Sequence, residues 1–365
     1  MTIERIPDAG YSQKTAYESW MEAEGIPIVT GLSVDDLRVV PVEKWPRRGG
    51  LGAFINLMGN EQAAGSYICE IPPGGSLEPC KHLYEETILV LNGRGATSVW
   101  YEGGPKQTFE WGEWSLFAIP LNAWYQHFNG QGDKPARFFA VNSAPHMMNL
   151  FYNMDFIFNN DFIFKDRYAG QDDYFGGKGR LVAADMERGT RRPVWESNFV
   201  PDVLGFKLYD WKERGAGGTS ILFEMGESST RSHISEFPSG TYKKAHRHGP
   251  AANVVLLGGK GYSLMWLEGK PWVKCDWHMG SLLIPPNQWF HQHFNVGKEP
   301  ARYLAISRAG GGRKHYMGPE PQSDVSVKEG GAQIEYEHEN PEVRKLFQQE
   351  LSKEGTDLKM PPALD

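Results

Sequence analysis

Cysteine is scarce in this chain: only Cys69, Cys80 and Cys275 occur, with no CxxC spacing, too few for a disulfide framework. Basic residues are also in deficit, 38 against 45 acidic ones for a net charge of −7. A general binder of nucleic acid or of an anionic membrane would show the opposite excess. No run approaches the ~18 apolar residues of a membrane-spanning helix. "MTIERIPDAGYSQK" at the start lacks the apolar core of a signal peptide. Neither "GGKGR" (176–180) nor "GGKGY" (258–262) extends into a phosphate-binding loop. These absences together point to a soluble protein in a reducing, cytoplasmic setting.

What is present is size and internal order. A chain of 365 residues, 40% hydrophobic, is long enough for two packed cores, since single cores rarely grow past ~250–300 residues. Shifted by 166 positions, residues 67–129 align on 233–295 without a gap. Glu70 falls on Glu236, Pro72 on Pro238, Gly74 on Gly240 and His82 on His248. Gly95 meets Gly261, Trp100 meets Trp266, Trp111 meets Trp277, and "HFN" at 127–129 meets "HFN" at 293–295. A one-residue slip extends the match to "MG" at 58–59 and 225–226 and to "PAR" at 135–137 and 300–302. The chain is a tandem duplication.

Each repeat reads as β-structure. "ETILVLNGRG" and "NVVLLGGKGYSLMW" are short apolar runs bounded by glycine and proline turns, without a long helical period. Asn92-Gly93 fits a tight turn between antiparallel strands. Many short strands punctuated in this way predict a sandwich or barrel, and a jelly roll manages the exposed edges. Helical character is confined to the ends. "AYESWMEAEG" (16–25) is one such segment, and "NPEVRKLFQQELSKEG" (340–355) is the other, with Asn340 as N-cap, Pro341 in the first turn and Gly355 past the end. "HMMNLFYNMDFIFNNDFIFKDRYAGQDDYFGG" (146–177) is too rich in Phe, Tyr and Met for a floating linker. It is expected to pack on a barrel or on a second subunit.

The stretch "PSGTYKKAHRHGPAANVVLLGGKG", followed by "GSLLIPPNQWFHQHFN", resembles the two motifs of the cupin superfamily. Residues 74–95 and 112–129 resemble the same pair, so the likeness to a bicupin covers most of 50–310. The resemblance implies an all-β fold of two tandem jelly-roll barrels with helical N- and C-terminal arms. The expected division is an N-terminal arm over 1–49, a first cupin domain over 50–145 and an aromatic-rich strap over 146–215. A second cupin domain over 216–312 and a tail with a helix over 313–365 follow.

His246 and His248 stand at i and i+2 on a strand, so both rings face one way while Arg247 faces the other. The motif likeness implies His291, five residues past Pro286, as the third metal ligand. It also implies a Glu after the His pair, where this chain has Ala252 and Asn253. The first repeat holds Cys80, His82, Glu86 and Tyr125 in the corresponding positions and reads as a degenerate site. His293 has a twin in that degenerate half, His127, and is therefore expected to be structural, or a substitute ligand if the loop is offset. Trp266, Trp289 and Asn253 are candidate pocket residues, and Arg231, Arg302 and Arg308 are candidate partners for a substrate carboxylate. His146, His233, His278, His315 and His338 are read as surface or satisfied core residues.

Three neutral imidazoles leave the full charge of a divalent metal available to an anionic, chelating small molecule. The imidazole donors suit Fe, Ni, Cu and Zn, and Mn less so without a carboxylate. Three-His cupin sites resemble those of gentisate-type, diketone and thiol dioxygenases. The leading expectation is thus an Fe(II) dioxygenase that uses O2 to cleave a C–C bond of a small acid. A lyase, isomerase or hydrolase on the same histidines is the second reading, and a ligand-binding bicupin without catalysis the third. A homo-oligomer is expected from the aromatic strap and the long arms.

Overall fold

The computed structural model describes residues 14–60, 62–183, 192–307 and 323–360. Two β-barrels stand side by side, each made of a large sheet facing a small one. In the first, the large sheet runs through Gly50–Ile55, Gly65–Ile71, Ala136–Asn142, Glu86–Asn92 and Leu116–Ile119. The small sheet is Trp124–Asn129, Gly95–Trp100 and Gln107–Trp111. The second barrel repeats this with Thr219–Glu224, Arg231–Phe237, Ala301–Ser307, Asn253–Gly258 and Leu282–Leu283 facing Val273–His278, Lys260–Trp266, Phe290–Asn295 and Ala245–His246.

The large sheets are apolar on both faces because each lies between two cores. Ile88 and Val90 point into the first barrel, whereas Leu89 and Leu91 point into a shared core with Val255, Leu257, Leu304 and Ile306 of the second. Period-two alternation with both faces buried is why these strands read as unbroken apolar runs.

The duplication reaches further than its sequence match. Ser33–Val34, ahead of the first barrel, pairs with Leu282–Leu283 of the second, while Phe199–Val200, ahead of the second, pairs with Leu116–Ile119 of the first. The registers correspond, Ser33 opposite Leu283 and Phe199 opposite Phe117. The two repeats therefore exchange their leading strands. Twin arginines clasp the exchanged segments: Arg137 donates to the carbonyls of Leu37 and Val40, and Arg302 to those of Val203 and Phe206. Each also pairs with a glutamate, Glu70 or Glu236.

Residues 146–177 pack on the first barrel. Met148, Ile157, Tyr168 and Phe175 join its core, and two short helices, Ala144–Phe151 and Met154–Asn159, begin the segment. Leu150, Tyr152 and Phe162 remain exposed. The N-terminal helix Ala16–Ala23 opens on a capping box between Thr15 and Glu18 and buries Tyr17 and Met21. The C-terminal helix Pro341–Glu354 starts at Asn340 and ends at Gly355 in the left-handed conformation, burying Val343, Phe347 and Leu351 against the second barrel. Among the described residues, no helix is long and apolar enough to cross a membrane.

Candidate metal centre

His246 lies on the short strand Ala245–His246 and faces His291 on Phe290–Asn295 in direct cross-strand register, so the two side chains share one face. Ring centroids are 4.2 Å apart for His246 and His291, 4.6 Å for His248 and His291, and 5.6 Å for His246 and His248. One ring nitrogen from each lies within 4.8 Å of the others.

The other nitrogens fix the tautomers. Nδ1 of His246, His248 and His291 meets the carbonyl oxygens of Lys244 (3.3 Å), Gly249 (2.8 Å) and Trp289 (3.3 Å). A carbonyl can only accept, so each Nδ1 carries the hydrogen and each neutral ring presents a lone pair at Nε2. Burial holds all three below the ordinary histidine range, His246 and His291 far below it. For His246 the next cause is the charge of Arg214, and for His291 it is His248. Three oriented, neutral nitrogen donors without a charged partner make a set that fits a divalent transition metal. His246 and His291 are buried and His248 half-buried, so the centre opens on the side of His248.

His293 belongs to a different arrangement, built twice. Its Nδ1 bonds Ser263 Oγ at 2.7 Å, which in turn accepts from Trp277 Nε1 at 3.1 Å. In the first barrel, His127, Thr97 and Trp111 make the same chain at 2.7 and 2.9 Å. Burial pushes both imidazoles down to about 3. The tryptophans fit because Gly95 and Gly261 lack a side chain: a Cβ there would lie 2.0 Å from Phe128 O and 1.9 Å from Phe294 O and would strike the indole rings.

The first-barrel set is closed on itself. His82 Nε2 meets the Tyr125 hydroxyl at 2.9 Å, and Glu86 accepts from Tyr125 at 3.1 Å and Tyr67 at 2.9 Å. Burial raises the Glu86 carboxyl, but His82, Arg48 and Tyr67 outweigh it and hold it at about 2. Arg48 enters this set, donating through Nη1 to Cys80 Sγ and, at 3.2 Å, to Tyr125. Among the described residues only the His246, His248 and His291 group brings three metal-binding atoms together. Sequence reasoning missed Arg48, although Trp45 and Arg48 recur as Trp211 and Arg214 at the repeat spacing.

Several candidates face elsewhere. Trp266 pairs across strands with Phe290, the neighbour of His291, and packs beneath the C-terminal helix on the opposite face from the imidazoles. Asn253 alternates onto the face of Val255 and Leu257, between the barrels, where its Nδ2 donates to Ala251 O at 3.0 Å. Trp289 packs against the barrel cluster containing Met265 and Leu283 and stays beside the site. Arg231 is paired with Glu224, and Arg302 is the clasp of the exchanged segment. Arg308 and His315 lie outside the described residues. His233 is inside the second barrel, its ring 6.1 Å from Tyr303.

No protein-family model matches the sequence, and the search of curated proteins found none similar. Solved structures do match. A Bacillus subtilis oxalate decarboxylase with Mn(II) centres is 14% identical over 79% of this chain and 79% of its own, with a TM-score of 0.50. A single-residue mutant of the Bacillus subtilis enzyme gives the same values: 14% identity, 79% of each chain and a TM-score of 0.50. At that identity the likeness is one of fold, and the fold is that of a bicupin, two tandem jelly-roll barrels with helical arms.

Proposed function

We propose that the chain is a metal-dependent enzyme, a lyase that acts on a small chelating carboxylic acid at His246, His248 and His291. The observation that carries this reading is the convergence of three Nε2 lone pairs whose rings are locked by backbone carbonyls. A divalent metal held there would supply Lewis acidity toward a carboxylate. Around it the protein offers a buried cation, Arg214, which is 3% exposed and favours an anionic substrate. Fully buried Lys243 donates to Ser235 Oγ and Tyr303 Oη, and burial pushes its amine well below the ordinary lysine range. Met265, cross-strand to His291, gives the site an apolar side.

Among the fold neighbours is a Mn(II) oxalate decarboxylase, and that likeness favours the lyase over the dioxygenase expected from the gentisate-type resemblance. The dioxygenase remains the second reading on one observation: the donors are all imidazoles, which suit Fe(II) better than Mn(II). A homo-oligomer is part of the proposal, supported by the exposed Leu150, Tyr152 and Phe162.

The test is reconstitution with Mn(II), Fe(II), Ni(II) or Zn(II), followed by assay on oxalate and other small chelating acids with O2 uptake recorded. Product formed without matching O2 consumption supports the lyase. O2 consumed one for one with product, with Fe(II) alone, supports the dioxygenase. Metal bound with no turnover on any acid contradicts both.

A further inference from the structure

The two barrels carry an arginine on equivalent backbone and send it to different places. Arg48 and Arg214 each stand three residues after a buried tryptophan, Trp45 or Trp211, and each precedes a glycine with φ of 72°, Gly49 or Gly215. Both are tied through their carbonyls to the segment bearing the first ligand position. Glu78 N–H donates to Arg48 O at 2.7 Å, and Lys244 N–H donates to Arg214 O at 3.2 Å.

The side chains then diverge. Arg48 turns inward onto Cys80 and Tyr125, the residues standing where the second barrel has His246 and His291. It is 4% exposed, and its Nε and Nη2 have no partner. Its charge thus fills the space that a cation would need. Arg214 is drawn aside by the C-terminal arm instead. Its Nη1 donates to Ser323 O at 2.6 Å and to Gln333 Oε1 at 3.2 Å, and its Nη2 to Ser323 Oγ at 3.3 Å. Gln333 is the cross-strand partner of His246, so this anchor sits directly beside the proposed ligand.

We propose that the C-terminal arm keeps the metal centre open by holding Arg214 off the three imidazoles, a role that rests on the metal-centre reading above. Released, the guanidinium takes the cation's place, as Arg48 does in the first barrel. The anchors are neutral oxygens. Asp324 and Glu335 also attract its charge, and the Trp211 ring centroid lies 4.9 Å from the guanidinium. Three convergent Nε2 lone pairs are acceptors that a guanidinium fork can satisfy. Once there, it bars a divalent ion by volume and by like charge. Arg214 is in this sense a positioning residue for the metal.

Affinity for Zn(II) and Co(II), measured on the full chain by competition with a chromophoric chelator, tests this without any assay of activity. Gln333→Met removes one anchor and is expected to weaken metal binding by about ten-fold, the worth of one hydrogen bond to a charged group. Arg214→Ala should bind metal no more weakly than the wild type. The double variant should return to within about two-fold of it, because without the arginine the anchor has nothing to restrain. Gln333→Asn, too short to reach, serves if the Met variant does not fold. Unchanged affinity in the Gln333 variant overturns the proposal, as does a loss that persists in the double variant. A wild-type chain that binds neither metal overturns the metal-centre reading itself, and this inference with it.

Discussion

A histidine can serve as a ligand or as a strut, and the proposed metal centre assigns the two uses to neighbouring positions. His291 and His293 are two apart on one strand and face the same interior, yet His291 turns its free nitrogen to His246 and His248 while His293 is bound to Ser263. His291→Ala and His246→Ala are each expected to reduce the metal content from one ion per chain to none, as read by elemental analysis. His293→Ala should keep the metal but lower stability by about 2–4 kcal/mol, through a cavity and an orphaned Ser263–Trp277 pair, as read by denaturant unfolding. The sequence already sets the two apart, because His293 repeats as His127 whereas His291 is replaced by Tyr125. What could not be read was direction. Trp266 and Asn253 stand near ligands in sequence but on the far faces of their strands, and strand register is a property of tertiary pairing.

At the scale of elements, the paired barrels keep what their strands need in order to approach closely. Gly261 and Gly95 admit the Trp277 and Trp111 rings beneath a neighbouring carbonyl, so Gly261→Ala should cost about 3 kcal/mol or prevent folding, as seen in the urea midpoint. Arg302→Ala would free the segment at Val203–Phe206 and remove the ion-pair partner of Glu236. A loss of about 1–3 kcal/mol is expected, with a matching loss for Arg137→Ala at the twin clasp. The strands themselves were evident from apolar runs and turn residues. The exchange of Ser33–Val34 and Phe199–Val200 was not, because two-residue strands carry no periodic signal and their partners lie in the other repeat. The aromatic strap was recognised from composition, and its destination on the first barrel follows from Tyr168 and Phe175 entering that core.

For the whole molecule, the buried imidazoles set the response to acid. In the unfolded chain a histidine takes a proton below about pH 6.5. In the folded protein His127 and His293 do so only near 3. Between these limits the unfolded state binds more protons, so stability is complete above the upper limit and falls as the pH drops. Each imidazole contributes a loss on the order of 4 kcal/mol by the lower end of the window. Metal-free protein should therefore show a falling urea midpoint from pH 7 to pH 4, and His127→Gln should flatten that slope. Duplication supplied two copies of this frame; among the described residues only the second carries the three-imidazole set, and in the first Arg48 donates to Cys80 at the matching position.

Metal stoichiometry of the reconstituted full chain, wild type against His246→Ala, tests the central claim most directly. One ion per wild-type chain and none in the variant is the predicted result. A wild type far below one ion per chain, or a His246→Ala variant that retains its ion, would contradict it.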